Sequence, residues 1–568
     1  MPPSNTDNPQ DDAPDSSSPS SSALSLSRSL LHQCRLLLAE LDAFQSAVNE
    51  KFRRPQIIEI RQLRSSVLAE LRGLEKMHEQ AEKAAAADEA TRAGDVSDDR
   101  SEEEKHRELK LLHALRSSNL QFYMAVWTIA KRSCSGLVAF GKRFYWDDGS
   151  RRHEQQKGHG GGDRSGVEND SKGKNKGSTG NKDKDKKKSV FVDIVAGEGE
   201  EWVKVSTISE SRLLFEMAKK GWEMDEDEDE DTDGGNRTIL RNYGSDQEED
   251  SDDEIELIKL AADLTKAARS VRINYRHPRT RVVIPKIVEG RIPEIDKIFG
   301  QMRKYGTTVE CGTSLPLDLM NDDLDSDRDP ETVTPEQLPL GTLLPNPFKR
   351  FTKTLNVDCT LLLAFVSDLS HFREIPPLPT YHRAILRQIE MEKEQPLVPT
   401  ELWPAVDGHD LICTKEAAKR MREIVDTIGT DAEKRRTEIL MGGSGFENLD
   451  RNSLIRKFQE LSDHPVPTQL ILPIRVVDAE TDIRAGWENG RLPSVAHKVE
   501  ESLSDINRSV FFYGWSTGIM TISSNRTVVK QIENIVEENR NGNDELEGPL
   551  VWVCDTARSL VGKEKNRK

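Results

Sequence analysis

A chain of 568 residues with 99 acidic and 81 basic side chains has a net charge of -18, which excludes a whole-molecule electrostatic grip on nucleic acid and leaves only a local basic groove open. Charged residues make up 32%, hydrophobic residues 35% and aromatic residues 5%, values between an ordinary globular protein and a disordered one, so two or three folded units joined by unfolded stretches are expected. Cys34, Cys134, Cys311, Cys359, Cys413 and Cys554 form no CxxC pair and have no His at zinc-ligand spacing, and they read as reduced thiols. No run reaches the roughly 18 apolar residues of a membrane span, and the acidic start MPPSNTDNPQDD is unlike a targeting peptide. The expectation is a cytoplasmic or nuclear protein without membrane association.

In chain order, residues 1–23 are rich in Ser, Pro and Asp and predict a disordered tail. Residues 24–148 read as a helical region. SLLHQCRLLLAELDAFQSAV and IIEIRQLRSSVLAELRGLEKMHEQ space apolar residues by three and four and predict an antiparallel pair. HRELKLLHALRSSNLQFYMAVWTIAKRS predicts a single third helix ending near Cys134. Residues 149–188 form a low-complexity linker; its run KGKNKGSTGNKDKDKKK reads first as a solvated insertion and second as a nucleic-acid or import signal.

Residues 189–312 predict an α/β N-terminal domain with an acidic disordered insert at 223–254. VFVDIVAGEGEEWVKVS alternates about a Gly-rich turn and predicts a hairpin. Asp193, Glu201 and Lys204 resemble the Asp, acid-x-Lys layout of restriction-like nucleases, but Trp202 stands two before Lys204, which favours an ordinary hairpin. The blocks DEDEDEDTD and DQEEDSDDEIE repel themselves and predict solvated chain, with Ser245 and Ser251 in contexts that acid-directed kinases favour. Residues 313–348, rich in Asp and Pro, read as a linker.

From 349 to 560 strands and helices alternate, predicting an α/β domain with a doubly wound, mostly parallel sheet. RSVFFYGWS and QLILPIRVV read as strands within it. Ligands in such sheets bind at the carboxyl ends of strands. Asp358 and Thr360, Thr414 and Glu416, Gly514 to Thr517, Ser523 to Asn525, and Asp555 occupy those ends.

LNVDCTLLLAFVSDL, ICTKEAAKRMREIV and TISSNRTVVKQI resemble the PIN-like nuclease fold. LNVDCTLLLAFVS, ELWPAVDGHDLICTKEAAKRMREIVDTIGTDAEKRRTEIL and FYGWSTGIMTISSNRTVV resemble, more closely, the eukaryotic family designated domain of unknown function 1308. The resemblance implies a PIN-like C-terminal domain, strand-end acids that bind Mg²⁺ or Mn²⁺, and RNA as substrate. It places the first acid on Asp358 with Thr360 as hydroxyl partner, and the second on Glu416 or Glu423. The chain departs from the pattern at Trp515, where relatives carry an acid, and at Asn525, where a nuclease has one.

The candidate catalytic residues are therefore Asp358 and Glu416, with Asp555 joining them as a metal ligand if the last strand lies beside the first. Thr360, Thr414, Trp515, Ser523 and Asn525 are candidate binding residues. The competing reading of Asp358 is a helix N-cap. Arg420, Arg422, Lys434, Arg435 and Arg436 read as a positive surface for RNA or as a solvated helix face. The preferred function is a catalytically degenerate PIN-like domain binding RNA or protein, with no certain cofactor. The alternatives are a metal-dependent ribonuclease and a protein-interaction scaffold built on the N-terminal helices and acidic blocks.

Overall fold

The computed structural model describes residues 19–51, 58–93, 102–146, 188–220, 254–312, 329–334, 340–379, 381–554 and 558–561. They fall into two units, one from Met1–Ala47, Ile58–Val271 and Pro278–Pro345, the other from Val48–Ile57, Arg272–His277 and Asn346–Lys568. Most of the linker at 149–188, both acidic blocks up to residue 253, Ser245, Ser251 and Asp555 lie outside the described residues.

In the first unit the three- and four-residue periodicity builds α1 (Pro19–Lys51) and α2 (Arg61–Ala93). The single helix expected next is two, α3 (Glu102–Arg116) and α4 (Leu120–Ser133). Ser117, Ser118 and Asn119 interrupt it, because short polar side chains offer the backbone local partners in place of the helical ladder. Ser118 Oγ accepts from the Leu120 amide at 3.1 Å and donates to Glu70 at 2.7 Å. Trp127 of α4 is buried against Phe44, and its indole donates to the buried Glu40, which also takes Lys131 at 2.6 Å.

The same unit continues with β1 (Ala139–Trp146), β2 (Lys188–Ala196), β3 (Glu201–Val205), α5 (Glu210–Lys219), α6 (Glu256–Arg269), β4 (Arg279–Ile284), α7 (Pro293–Lys304) and β5 (Thr308–Cys311). The sheet runs β1-β2-β3-β4-β5, antiparallel through β3 and parallel from β3 to β5. The predicted hairpin is β2 and β3. Strand β1 was not expected; residues 138–146 alternate only weakly, so no period-2 signal marks them.

The second unit contains β6 (Thr354–Val357), α8 (Cys359–Val366), α9 (Asp368–His371), α10 (Arg383–Glu394), α11 (Trp403–Val406), β7 (Asp410–Thr414), α12 (Lys415–Ile428), α13 (Asp431–Met441) and α14 (Arg451–Gln459). It then contains β8 (Arg475–Val477), α15 (Ala479–Glu488), α16 (Val495–Ser502), α17 (Asp505–Thr517), β9 (Met520–Ser523), α18 (Arg526–Glu538) and β10 (Val551–Val553). Every strand pair is parallel and the order is β10-β9-β6-β7-β8, so the unit is α/β with a doubly wound sheet.

Two strand expectations fail here. RSVFFYGWS is helical, as part of α17, capped by Ser504 and closed by Gly518 at φ 71°. Val510 to Ser516 are all buried, and a run apolar on every side carries no period to separate helix from strand. Gly514 lets α17 approach β9, since a Cβ there would lie 2.2 Å from Thr521 Oγ1. QLILPIRVV keeps only the three residues of β8, because Pro473 has no amide to give a ladder. After β10 the chain returns to the core: Leu560 is buried, Arg558 donates to Glu392 at 2.5 Å, and Ser559 exchanges hydrogen bonds with Gln388.

Candidate functional site

The order β10-β9-β6-β7-β8 reverses direction at β6: the chain leaves it for β7 and β8 on one side and returns to β9 and β10 on the other. The crevice at the carboxyl ends of β6 and β9 is the topological switch point, where doubly wound sheets bind ligands. Asp358 directly follows β6 and Ser523 ends β9, which pairs alongside it.

Asp358 stands at the N-cap of α8, and its carbonyl accepts from the amides of Leu361 and Leu362. No first-turn amide makes a full capping bond to its carboxylate, although those of Cys359 and Thr360 face it and favour its charged form. Instead Oδ2 accepts from Thr360 Oγ at 2.7 Å and from Ser523 Oγ at 2.6 Å. The group is 2% exposed. Burial raises its pKa above the ordinary Asp value, opposed by the Ser523 and Thr360 hydroxyls. Thr360 Oγ also accepts from the Ser524 amide, and Ser523 Oγ from the Asn525 amide, so one acid ties β6, α8 and the β9–α18 turn into a single network. Neighbouring Cys359 has its thiol pushed up to about 12 by burial, then by the Asp358 charge, and is a poor nucleophile.

Thr414, at the end of β7, is a buried N-cap: Oγ accepts from the Ala417 amide at 3.2 Å and pairs with Ser509 Oγ at 3.1 Å. Glu416 follows in the first turn of α12, and its Oε2 is shut from solvent with no hydrogen-bond partner. Ser524 Oγ is in the same condition. Residues 355–459 match the sequence model of the family described as Protein of unknown function (DUF1308). The match runs from β6 through α14. No curated protein and no solved structure matches the chain. The DUF1308 stretch thus supplies Asp358, Thr360, Thr414 and Glu416, while Ser523 and Asn525 close the crevice from beyond it.

The last strand does not lie beside the first, since β9 separates β10 from β6. Asn525 caps α18, its Oδ1 accepting from the Val528 amide. Trp515 sits on α17, not on a strand, packed edge-on against Phe512 and lining a cavity of about 770 Å³ with Arg491 and Arg276. Gly518, Gly548 and Leu550 also line that cavity. They precede β9 and β10, so it opens at the amino edge of the sheet, opposite Asp358.

A divalent ion held beside a phosphate needs about two or more carboxylates. Asp358 is enclosed by two hydroxyls, and no group of three or more His, Cys, Asp or Glu is placed to hold a metal among the described residues. This donor set does not fit a divalent ion. The acidic constellation of the first unit is likewise self-satisfied: Asp193 takes Lys204 at 3.0 Å and the Val205 amide at 2.7 Å, while Glu201 pairs with Arg281. Trp202, where a restriction-like nuclease has an acid, is fully buried and stacks on Phe144 at 3.7 Å.

The basic triplet of the DUF1308 stretch divides. Lys434 is half-buried and Arg435 is exposed, but Arg436 is buried, because positions 433, 436, 437 and 440 form the inward stripe of α13. Arg420 and Arg422 are exposed on α12. The buried network of Asp368, His371, Glu433 and Arg436 has no motif in the sequence; only the inward spacing of charged residues on α13 could have disclosed it.

If the Asp358 carboxylate serves as a hydrogen-bond acceptor, Asp358→Asn retains an acceptor for both hydroxyls while Asp358→Ala strands them. The alanine variant is expected to lose about 1–3 kcal/mol more than the asparagine variant in urea unfolding. Equal losses would count against the acceptor role.

Proposed function

We propose that the second unit is a PIN-like domain that binds RNA without cutting it. The observation that carries this reading is the Asp358 carboxyl, sealed between Thr360 and Ser523 and biased by burial toward its neutral form. A group so placed holds the strand ends together, with its bonded oxygen turned to Thr360 and Ser523 and not to a phosphate. The switch-point position supports a ligand site, and the strand order supports the nuclease-like fold. RNA is favoured over a protein partner by Lys419, Arg420 and Arg422, exposed on the first half of α12 beside the crevice. A metal-dependent ribonuclease is the second reading, favoured by the partnerless Glu416 Oε2.

Fluorescence anisotropy with a labelled single-stranded RNA, with the strand's length checked on a gel in Mg²⁺ and Mn²⁺, separates the two. Binding is expected to weaken with salt and to fall about tenfold in Arg420→Glu/Arg422→Glu, with the RNA left intact. Metal-dependent shortening that disappears in Asp358→Asn would establish the nuclease instead, and absence of any binding would sink both.

A further inference from the structure

A cavity of about 310 Å³ in the first unit is lined by Arg28, Leu31, His32 and Arg35 of α1, His78 of α2, and Asp329 and Pro330. On a helix, positions 28, 31, 32 and 35 form one stripe, which is ordinarily apolar where it meets a neighbour. Here only Leu31 is apolar.

The nitrogens of this stripe are poorly matched within the protein. Arg28 has no ion-pair partner among the described residues. Arg35 reaches one carboxylate, Glu75, at 3.6 Å, with both side chains about half exposed. His32 Nε2 is shut from solvent and has no hydrogen-bond partner, a condition that native interiors rarely leave uncompensated. His78 is held in place: Ser27 Oγ donates to the Leu24 carbonyl, so it must accept from His78 Nδ1 at 2.8 Å, and His78 Nε2 lies 3.4 Å from Glu82.

We infer that this cavity binds a phosphate group, as inorganic phosphate or a small phosphate monoester. The side chains of Arg28 and Arg35 line a space that holds one tetrahedral oxyanion with the first atoms of its ester, and His32 and His78 complete its wall. Asp329 brings one carboxylate to the same cavity. It is the internal competitor: phosphate enters against it, and its removal tightens binding.

Calorimetric titration of the full chain with inorganic phosphate, and separately with glycerol 3-phosphate, tests this. Saturable binding to either ligand is expected below about 10 mM, weakened about tenfold in Arg28→Gln, the loss of one charge-assisted contact, and tightened severalfold in Asp329→Asn. Arg28 is exposed, so its replacement spares the fold, and a gain of affinity in Asp329→Asn has no origin in misfolding. No saturable heat with either ligand, or binding indifferent to both substitutions, overturns the inference. The RNA reading stands or falls separately, because its variants lie on α12.

Discussion

Arg436→Met is expected to cost the second unit about 3–5 kcal/mol, the range for removing one partner of a buried ion pair. Arg436 is fully buried. Its Nε donates to the Leu461 carbonyl at 2.9 Å, and its Nη1 to the Val366 carbonyl at 2.8 Å and to Asp368 Oδ1 at 2.7 Å. The guanidinium also lies 4.9 Å from the ring centre of Phe372. Methionine fills much of the volume but supplies no donor, leaving Asp368 with only Thr430 Oγ and two carbonyls short of a partner. The midpoint for this unit in a thermal melt should fall by roughly 6–20 °C. Adding Asp368→Leu removes the stranded charge, and the double variant should recover part of the loss; if the two costs simply add, the ion pair is not their link.

Acid unfolding should begin on the alkaline side of where carboxylate protonation alone would place it, because His371 is buried neutral. Its Nε2 donates to the Phe365 carbonyl at 2.7 Å, so Nδ1 accepts from Ser462 Oγ at 2.8 Å. Burial, and then the Arg436 charge, drive its pKa down to about 3. The unfolded chain takes up the proton near pH 6.5 and the native one only near pH 3, so stability is complete above about 6.5 and declines by about 1.4 kcal/mol per pH unit below it. Asp358 and Glu433 act with the opposite sign: their raised pKa values make protonation favour the fold as pH falls. Glutamine at 371 can donate and accept without titrating. Denaturant midpoints of His371→Gln should therefore change less than the wild type's between pH 6.5 and 5, and parallel curves would exclude His371 as the cause.

What the sequence discloses is set by where its periods are one-sided. LNVDCTLLLAFV and LICTKEAAKRMREIV change from a short apolar run to a helical stripe, so β6–α8 and β7–α12 are read correctly and Asp358, Thr414 and Glu416 fall at strand ends. The α17 stretch is apolar on every side and misreads as a strand, which displaces Trp515. Arg436 looks like surface charge because its compensation comes from residues 366, 368 and 461, remote in sequence. The hydroxyl bridge from Ser523 to Asp358 spans 165 positions; composition supplies both residues, and only strand order joins them.

The second unit cannot be assembled progressively during synthesis. Its first strand, β6, is the middle of the sheet, and one flank stays bare until β9 and β10 have been made. Buried Leu560 and the Arg558 pairing with Glu392 complete the core almost at the last described residue. A nascent chain halted near residue 515 would expose the β6 edge and the apolar surface that β9 covers, a surface suited to chaperones and to pairing with other chains. Carboxy-terminal truncation should therefore remove the whole unit and not merely its end.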